Sequence, residues 1–130
     1  MSRYTTLGAV LLPLLLIASQ GHSAEVSELF VKELSTILQN QEVQVLSVTY
    51  APGEAGIPHR HPGHSFIYVT KGSIKMGVRG AEPVTLSEGE TFYESPDDVH
   101  TVGQNLSETE PAQLLVFMLK PQGTPIVLPE

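Results

Sequence analysis

Cysteine is absent from this chain. That single absence excludes disulfide staples, thiolate nucleophiles, thiolate metal ligands and a lipid-modified cysteine anchor. Basic residues are scarce: seven Lys and Arg stand against 14 Asp and Glu, for a formal net charge of -7. No basic stripe exists to follow a phosphate backbone, so nucleic acid is not an expected partner. There is no Gly-x-Ser-x-Gly elbow either, which disfavours a Ser/His/Asp hydrolase built from Ser65, His64 and Asp97. Internal repeats and low-complexity tracts are also missing. Finally, no apolar run is long enough to anchor the chain. The run from Leu7 to Ile17 falls short of the roughly 20 residues that cross a bilayer.

That short run has a different meaning. Arg3 precedes it, no acid accompanies it, and a small polar segment follows, which is the order of a secretory signal peptide. Residues 1–23 are expected to be a leader, with Gly21 and Ser23 as the small residues before the cut. The mature chain, residues 24–130, is then one domain, periplasmic or secreted, and free of the membrane. Losing Arg3 and no acid makes it one charge more negative, which favours solubility and disfavours anionic partners.

What is present in quantity is turn punctuation. "APGEAGIP", "HPG", "TKG", "RGAEP", "SEGE", "SPDD" and "PQGTP" separate short runs rich in Val, Ile, Phe and Tyr. In "SIKMGVRG", Ile74, Met76 and Val78 share one face and Lys75, Gly77 and Arg79 the other, the period of a half-buried strand. Many short strands with turns every eight to twelve residues predict an all-β sandwich or barrel. One segment disagrees. "EVSELFVKELSTIL" places Val26, Leu29, Phe30, Leu34, Ile37 and Leu38 at helical spacing, so a helical turn leading into a strand is expected there. The Pro-rich tail "KPQGTPIVLPE" predicts an extended arm lying on the barrel or on a second subunit.

The candidate site comes from histidine. The chain has five, and beyond the leader four remain: His59, His61 and His64 in "GIPHRHPGHSFIYVTKG", and His100 in "SPDDVHTVGQN". Alternate residues on a strand point the same way, so His59 and His61 project to one side and can share one metal ion. His100 completes the set if its strand pairs nearby. Imidazole suits Zn, Fe, Mn, Ni and Cu, so the metal's identity stays open. His64 lies beyond a Pro-Gly break. It stands open between a fourth ligand, an acid/base in the pocket and an exposed turn residue, and its ordinary pKa makes it the candidate catalytic group for proton transfer. Arg60 should point outward, Asp97 and Asp98 should belong to a turn, and Asn105 should satisfy backbone groups.

These segments resemble the two motifs of the cupin superfamily. Gly53, His59, His61 and Gly72 match the first, Gly89, Pro96, His100 and Asn105 the second, and the spacer from Ser73 to Glu88 looks like that of small bacterial cupins. The resemblance implies a single-domain jelly-roll β-barrel over residues 24–130. It also implies a divalent metal on His59, His61 and His100, and a small-molecule ligand or substrate. There are two departures. The acid expected three or four residues after the second histidine is missing, with Ser65 or Phe66 in its place. The glycine after Pro96 is replaced by Asp98, one residue closer to His100. The first departure leaves a three-histidine site, similar to that of some thiol and diketone dioxygenases of the superfamily. The function expected is a metal-dependent, dioxygenase-like enzyme. An isomerase or epimerase and a non-catalytic binding module are the alternatives, and a homodimer is the expected assembly.

Overall fold

A computed structural model describes residues 24–33 and 38–130. The leader expected over residues 1–23 lies outside the described residues. Nine strands follow in order: β1 Glu25–Glu33, β2 Gln41–Tyr50, β3 His59–Arg60, β4 His64–Lys71, β5 Ser73–Val78, β6 Val84–Ser87, β7 Thr91–Glu94, β8 Val99–Gln104 and β9 Ala112–Pro121. They form two antiparallel sheets, one ordered β1-β2-β9-β4-β7 and the other β3-β8-β5-β6. This is the all-β architecture that the turn spacing predicts and the jelly-roll barrel that the resemblance implies.

Period-2 burial drives the arrangement. Along β4 and β9 buried and less buried residues alternate without a break through Val69 and Lys120. The inward set, including Leu46, Ile67, Val69, Ile74, Leu114 and Met118, makes the core between the sheets. Each such side chain, fully buried, contributes about 1.5–3 kcal/mol. A slip of one residue in any central strand would turn these side chains out to water, so the hydrophobic pattern pins the register. Gly72 connects β4 to β5 alone. Its φ of +72° is left-handed, and a Cβ there would lie 3.1 Å from the Pro111 carbonyl oxygen, so both conformation and space require glycine.

The helical turn expected within "EVSELFVKELSTIL" is not found among the described residues. Residues Glu25–Glu33 are a strand, paired antiparallel with β2 from Glu25 opposite Thr49 to Glu33 opposite Glu42, with an irregularity between Glu28 and Phe30. The edge of β2 offers a full row of backbone partners, and pairing there outweighs a helical spacing that rests on local pattern alone. Residues 34–37, the other half of that periodic segment, lie outside the described residues.

The C-terminal arm folds back onto its own barrel. Arg60 and Leu128 exchange both backbone hydrogen bonds, at 3.0 and 2.8 Å, and Arg79 forms an ion pair with Glu130.

Candidate metal centre

The first two histidines come from the shortest strand. His59 pairs directly with His100 across β3 and β8, and His61 follows one residue past the end of β3. Alternation then directs His59 and His61 to the same side, toward His100. The ring centroids of His59 lie 4.8 Å from those of His61 and 4.9 Å from those of His100.

Each ring is held by a backbone carbonyl. His59 donates from Nδ1 to the Ile57 carbonyl at 2.8 Å, His61 from Nδ1 to the Ile126 carbonyl at 2.6 Å, and His100 from Nε2 to the Val102 carbonyl at 2.8 Å. A carbonyl oxygen only accepts, so these contacts fix where each ring carries its proton. In the neutral tautomers so selected, the nitrogens without a proton are His59 Nε2, His61 Nε2 and His100 Nδ1, and all three face one another. His59 Nε2 is 3.2 Å from His61 Nε2 and 3.4 Å from His100 Nδ1, and the three donor atoms all lie within 4.8 Å of one another.

Three lone pairs converging in a half-buried space repel unless a positive centre sits among them. Metal–imidazole bonds are about 2.0–2.1 Å long, so neighbouring ligand atoms around one ion stand roughly 3.0–3.4 Å apart. The two closest spacings fall in that range. The three-histidine group can hold a metal ion on both chemistry and distance.

A fourth group stands beside it, and sequence reasoning missed it. Glu94, at the end of β7, is only 2% exposed. Its Oε2 lies 3.2 Å from His61 Nε2 and its Oε1 3.4 Å from His100 Nδ1. Burial alone would lower the pKa of His61. Hydrogen bonds to Glu94 and to the Ile126 carbonyl, with the Glu94 charge, reverse the balance and raise it. His59 goes the other way. Burial lowers its pKa, and His61 and His100 add to the effect against the opposing pull of the Ile57 carbonyl and Glu94.

The cluster opens on a cavity of about 90 Å³, enough for several waters or a ligand of a few heavy atoms. Its walls are mainly apolar, with Leu46, Ile67, Met76 and Val116 among them, and Tyr50, Ser65 and Glu94 supply polar atoms. Burial pushes the Tyr50 phenol up to about 12, with Glu94 and Glu54 adding to it, so Tyr50 keeps its proton and offers a donor. Gly103 is the second residue that sequence reasoning passed over. A Cβ there would stand 2.7 Å from the Tyr50 hydroxyl and 3.0 Å from His100 Cε1. A glycine inside a strand is itself the sign of such a close approach.

His64 is not brought into this group. It opens β4 as an exposed residue while its neighbour Ser65 is buried. Its Nδ1 is 2.6 Å from the Tyr93 hydroxyl, and the two rings stack on the outer surface. Any proton transfer by His64 would take place on that surface, away from the cavity. The other expected positions fall in supporting roles. Arg60 donates to the Pro96 carbonyl at 3.1 Å, and Asp98 accepts from the Ser95 amide at 2.7 Å in the turn before β8. Asn105, 1% exposed, donates to the carbonyls of Tyr50, Ala51 and Glu110 and accepts from the Ser107 amide. It thereby ties together the loops that flank Tyr50.

Residues 46–118 match the family described as the cupin domain. No curated protein matches the sequence. Among solved structures, the chain is similar to a conserved protein of Klebsiella pneumoniae with a double-stranded β-helix domain, at 20% identity over 88% of this chain and 90% of that one, with a TM-score of 0.63. It is similar to an oxalate oxidase in complex with the substrate analogue glycolate, at 24% identity over 85% of this chain and 57% of that one, TM-score 0.64. It is also similar to the DMSP lyase of Ruegeria pomeroyi, at 20% identity over 66% of this chain and 42% of that one, TM-score 0.58. At these identities the likeness is one of fold.

Proposed function

The chain belongs to the cupin family, and from that premise we propose that it is an exported, metal-dependent enzyme acting on a small oxygen-bearing molecule, with dioxygenase-type chemistry as its reaction class. The observation that carries the reading is the convergence of three bare imidazole nitrogens, each ring fixed by a carbonyl, beside a small apolar cavity. His59, His61 and His100 would hold a divalent ion. When bound, such an ion supplies a Lewis acid for a chelating substrate oxygen and, if redox-active, a site for dioxygen.

The chain's own residues account for the rest. Leu46, Ile67, Met76 and Val116 exclude water and favour a compact ligand with an apolar edge. Tyr50, held in its protonated form, donates a hydrogen bond to a substrate oxygen. Ser65, small and buried, leaves room where a longer side chain would fill the cavity. The carbonyls of Ile57, Ile126 and Val102 keep the imidazoles oriented, so the site is assembled before the ligand arrives. The similar structures include an oxalate oxidase and a DMSP lyase, which supports a small molecule as substrate. An isomerase or epimerase and a non-catalytic binding module are the rival readings. We further propose a homodimer, with the outward aromatics Phe66, Tyr68, Tyr93 and Phe117 covered by a second copy. All four are exposed on one sheet.

Elemental analysis of the protein purified from its native compartment tests the metal. One stoichiometric divalent ion is expected, lost in both His59→Ala and His100→Ala, and unchanged content in these variants would refute the ligand set. Oxygen uptake with metal-reconstituted protein and candidate diketones, thiols and short carboxylates tests the reaction class. Product formation without oxygen consumption, with solvent deuterium incorporated, would replace it with a proton-transfer reaction.

A further inference from the structure

We infer that Glu94 is the fourth ligand of the metal centre, a carboxylate supplied by β7 in place of the acid that the first motif lacks. This rests on the metal-binding reading above and deepens it. Three observations converge. Ser65 is one of the two positions, with Phe66, where the first motif calls for an acid, and it is paired directly opposite Glu94 across β4 and β7. Side chains in such a pair stand about 4.5–5.5 Å apart at Cβ and share one face, so the carboxylate has moved by one strand and still enters the same cavity. Glu94 is deeply buried, and its Oε1 has no hydrogen-bond partner among the described residues. The Ser65 hydroxyl, 1% exposed, is equally unpartnered. Finally, the two Glu94 oxygens face His61 Nε2 and His100 Nδ1, the same nitrogens that the Ile126 and Val102 carbonyls leave unengaged.

Without a metal, a proton between His61 Nε2 and Glu94 Oε2 is what joins the two groups. A metal ion standing among them would take the place of that proton, because each oxygen and each nitrogen is then a donor to the same centre. A buried charge left without such a partner is strongly destabilising. Glu94 also brings a negative charge to an otherwise neutral three-histidine set, lowering the net charge of a bound divalent ion from two to one. That tightens binding of divalent cations and allows a neutral or singly charged ligand to complete the site.

The test is titration of the metal-free protein with cobalt(II), read by its d–d absorption, on wild type, Glu94→Gln and the exchange variant carrying Ser65→Glu with Glu94→Ser. Wild type should bind one equivalent. Glu94→Gln should lose more than about a hundred-fold in affinity, beyond the roughly 10–100-fold typical of residues that only orient a ligand, and its absorption band should change. The exchange variant should regain most of the lost affinity. Wild-type affinity and an unchanged band in Glu94→Gln would overturn the inference and leave the three histidines standing. If wild type itself bound no cobalt, the metal-binding reading would fail instead.

Discussion

Two carboxylates are buried on the inner face of the larger sheet, and they are kept in opposite ways. Glu42 on β2 stands directly opposite Lys120 on β9. Lys120, 2% exposed, gives its ammonium to Glu42 and also donates to the Thr124 carbonyl at 2.6 Å. The chain carries its own counter-ion there, and the pair is complete. Glu94 on β7 faces His61 and His100, and no lysine or arginine pairs with it among the described residues. The positive charge at that second position is a proton on an imidazole or a cation from outside. Two groups of the same type, both buried, are thus separated into structure and function by the charge of what faces them.

The largest effect expected should come from the closed pair. Lys120→Met leaves Glu42 buried and alone, and should destabilise the fold by about 3–5 kcal/mol. Adding Glu42→Leu should recover most of it. Denaturant midpoints decide this, and if Glu94→Gln destabilised the metal-free protein as much as Lys120→Met, the contrast between the two carboxylates would collapse.

Tyr50 sharpens the comparison from the alkaline side. Its folded phenol pKa is raised from 10.0 to about 12, by burial first and by Glu94 and Glu54 next. Between those values the folded state keeps a proton that the unfolded chain releases, so stability must fall as pH rises through that window. Two units correspond to about 2–3 kcal/mol. Tyr50→Phe should flatten the fall in urea midpoint between pH 10 and 12, and an equally steep fall in that variant would mean that Tyr50 is not the group that titrates there.

Gly103→Ala comes next. Its methyl group would push the Tyr50 hydroxyl and the His100 ring, and strain of this kind is typically about 1–3 kcal/mol. The thermal shift produced by added cobalt should shrink along with the melting temperature. The smallest effect belongs to His64→Ala, which removes only the exposed contact with Tyr93. Stability should change by less than about 0.5 kcal/mol and metal content not at all. A loss of metal there would mean that the outer surface communicates with the cavity.

The histidine pair at β3 and just beyond it was legible because extended chain has a period of two, so His59 and His61 share a side. The turn punctuation was legible for a related reason: glycine and proline act through local dihedrals, as Gly72 does. The first strand was not, because the spacing of Val26, Leu29 and Phe30 is ambiguous in isolation and only the free edge of β2 resolves it. The arm that supplies the Ile126 carbonyl was read as an arm, but its contact with His61, 65 residues away in the chain, has no local signature.

The amino-acid order by itself therefore determined the barrel, the three histidines and the absence of an acid after His61, since each depends on residues close together in the chain. Tertiary structure alone decided that Glu94 stands opposite Ser65, that Lys120 neutralises Glu42, and that His64 turns outward while Ser65 turns in. These follow from strand register and from which face of a sheet is enclosed, and both are settled by the packing of the whole molecule.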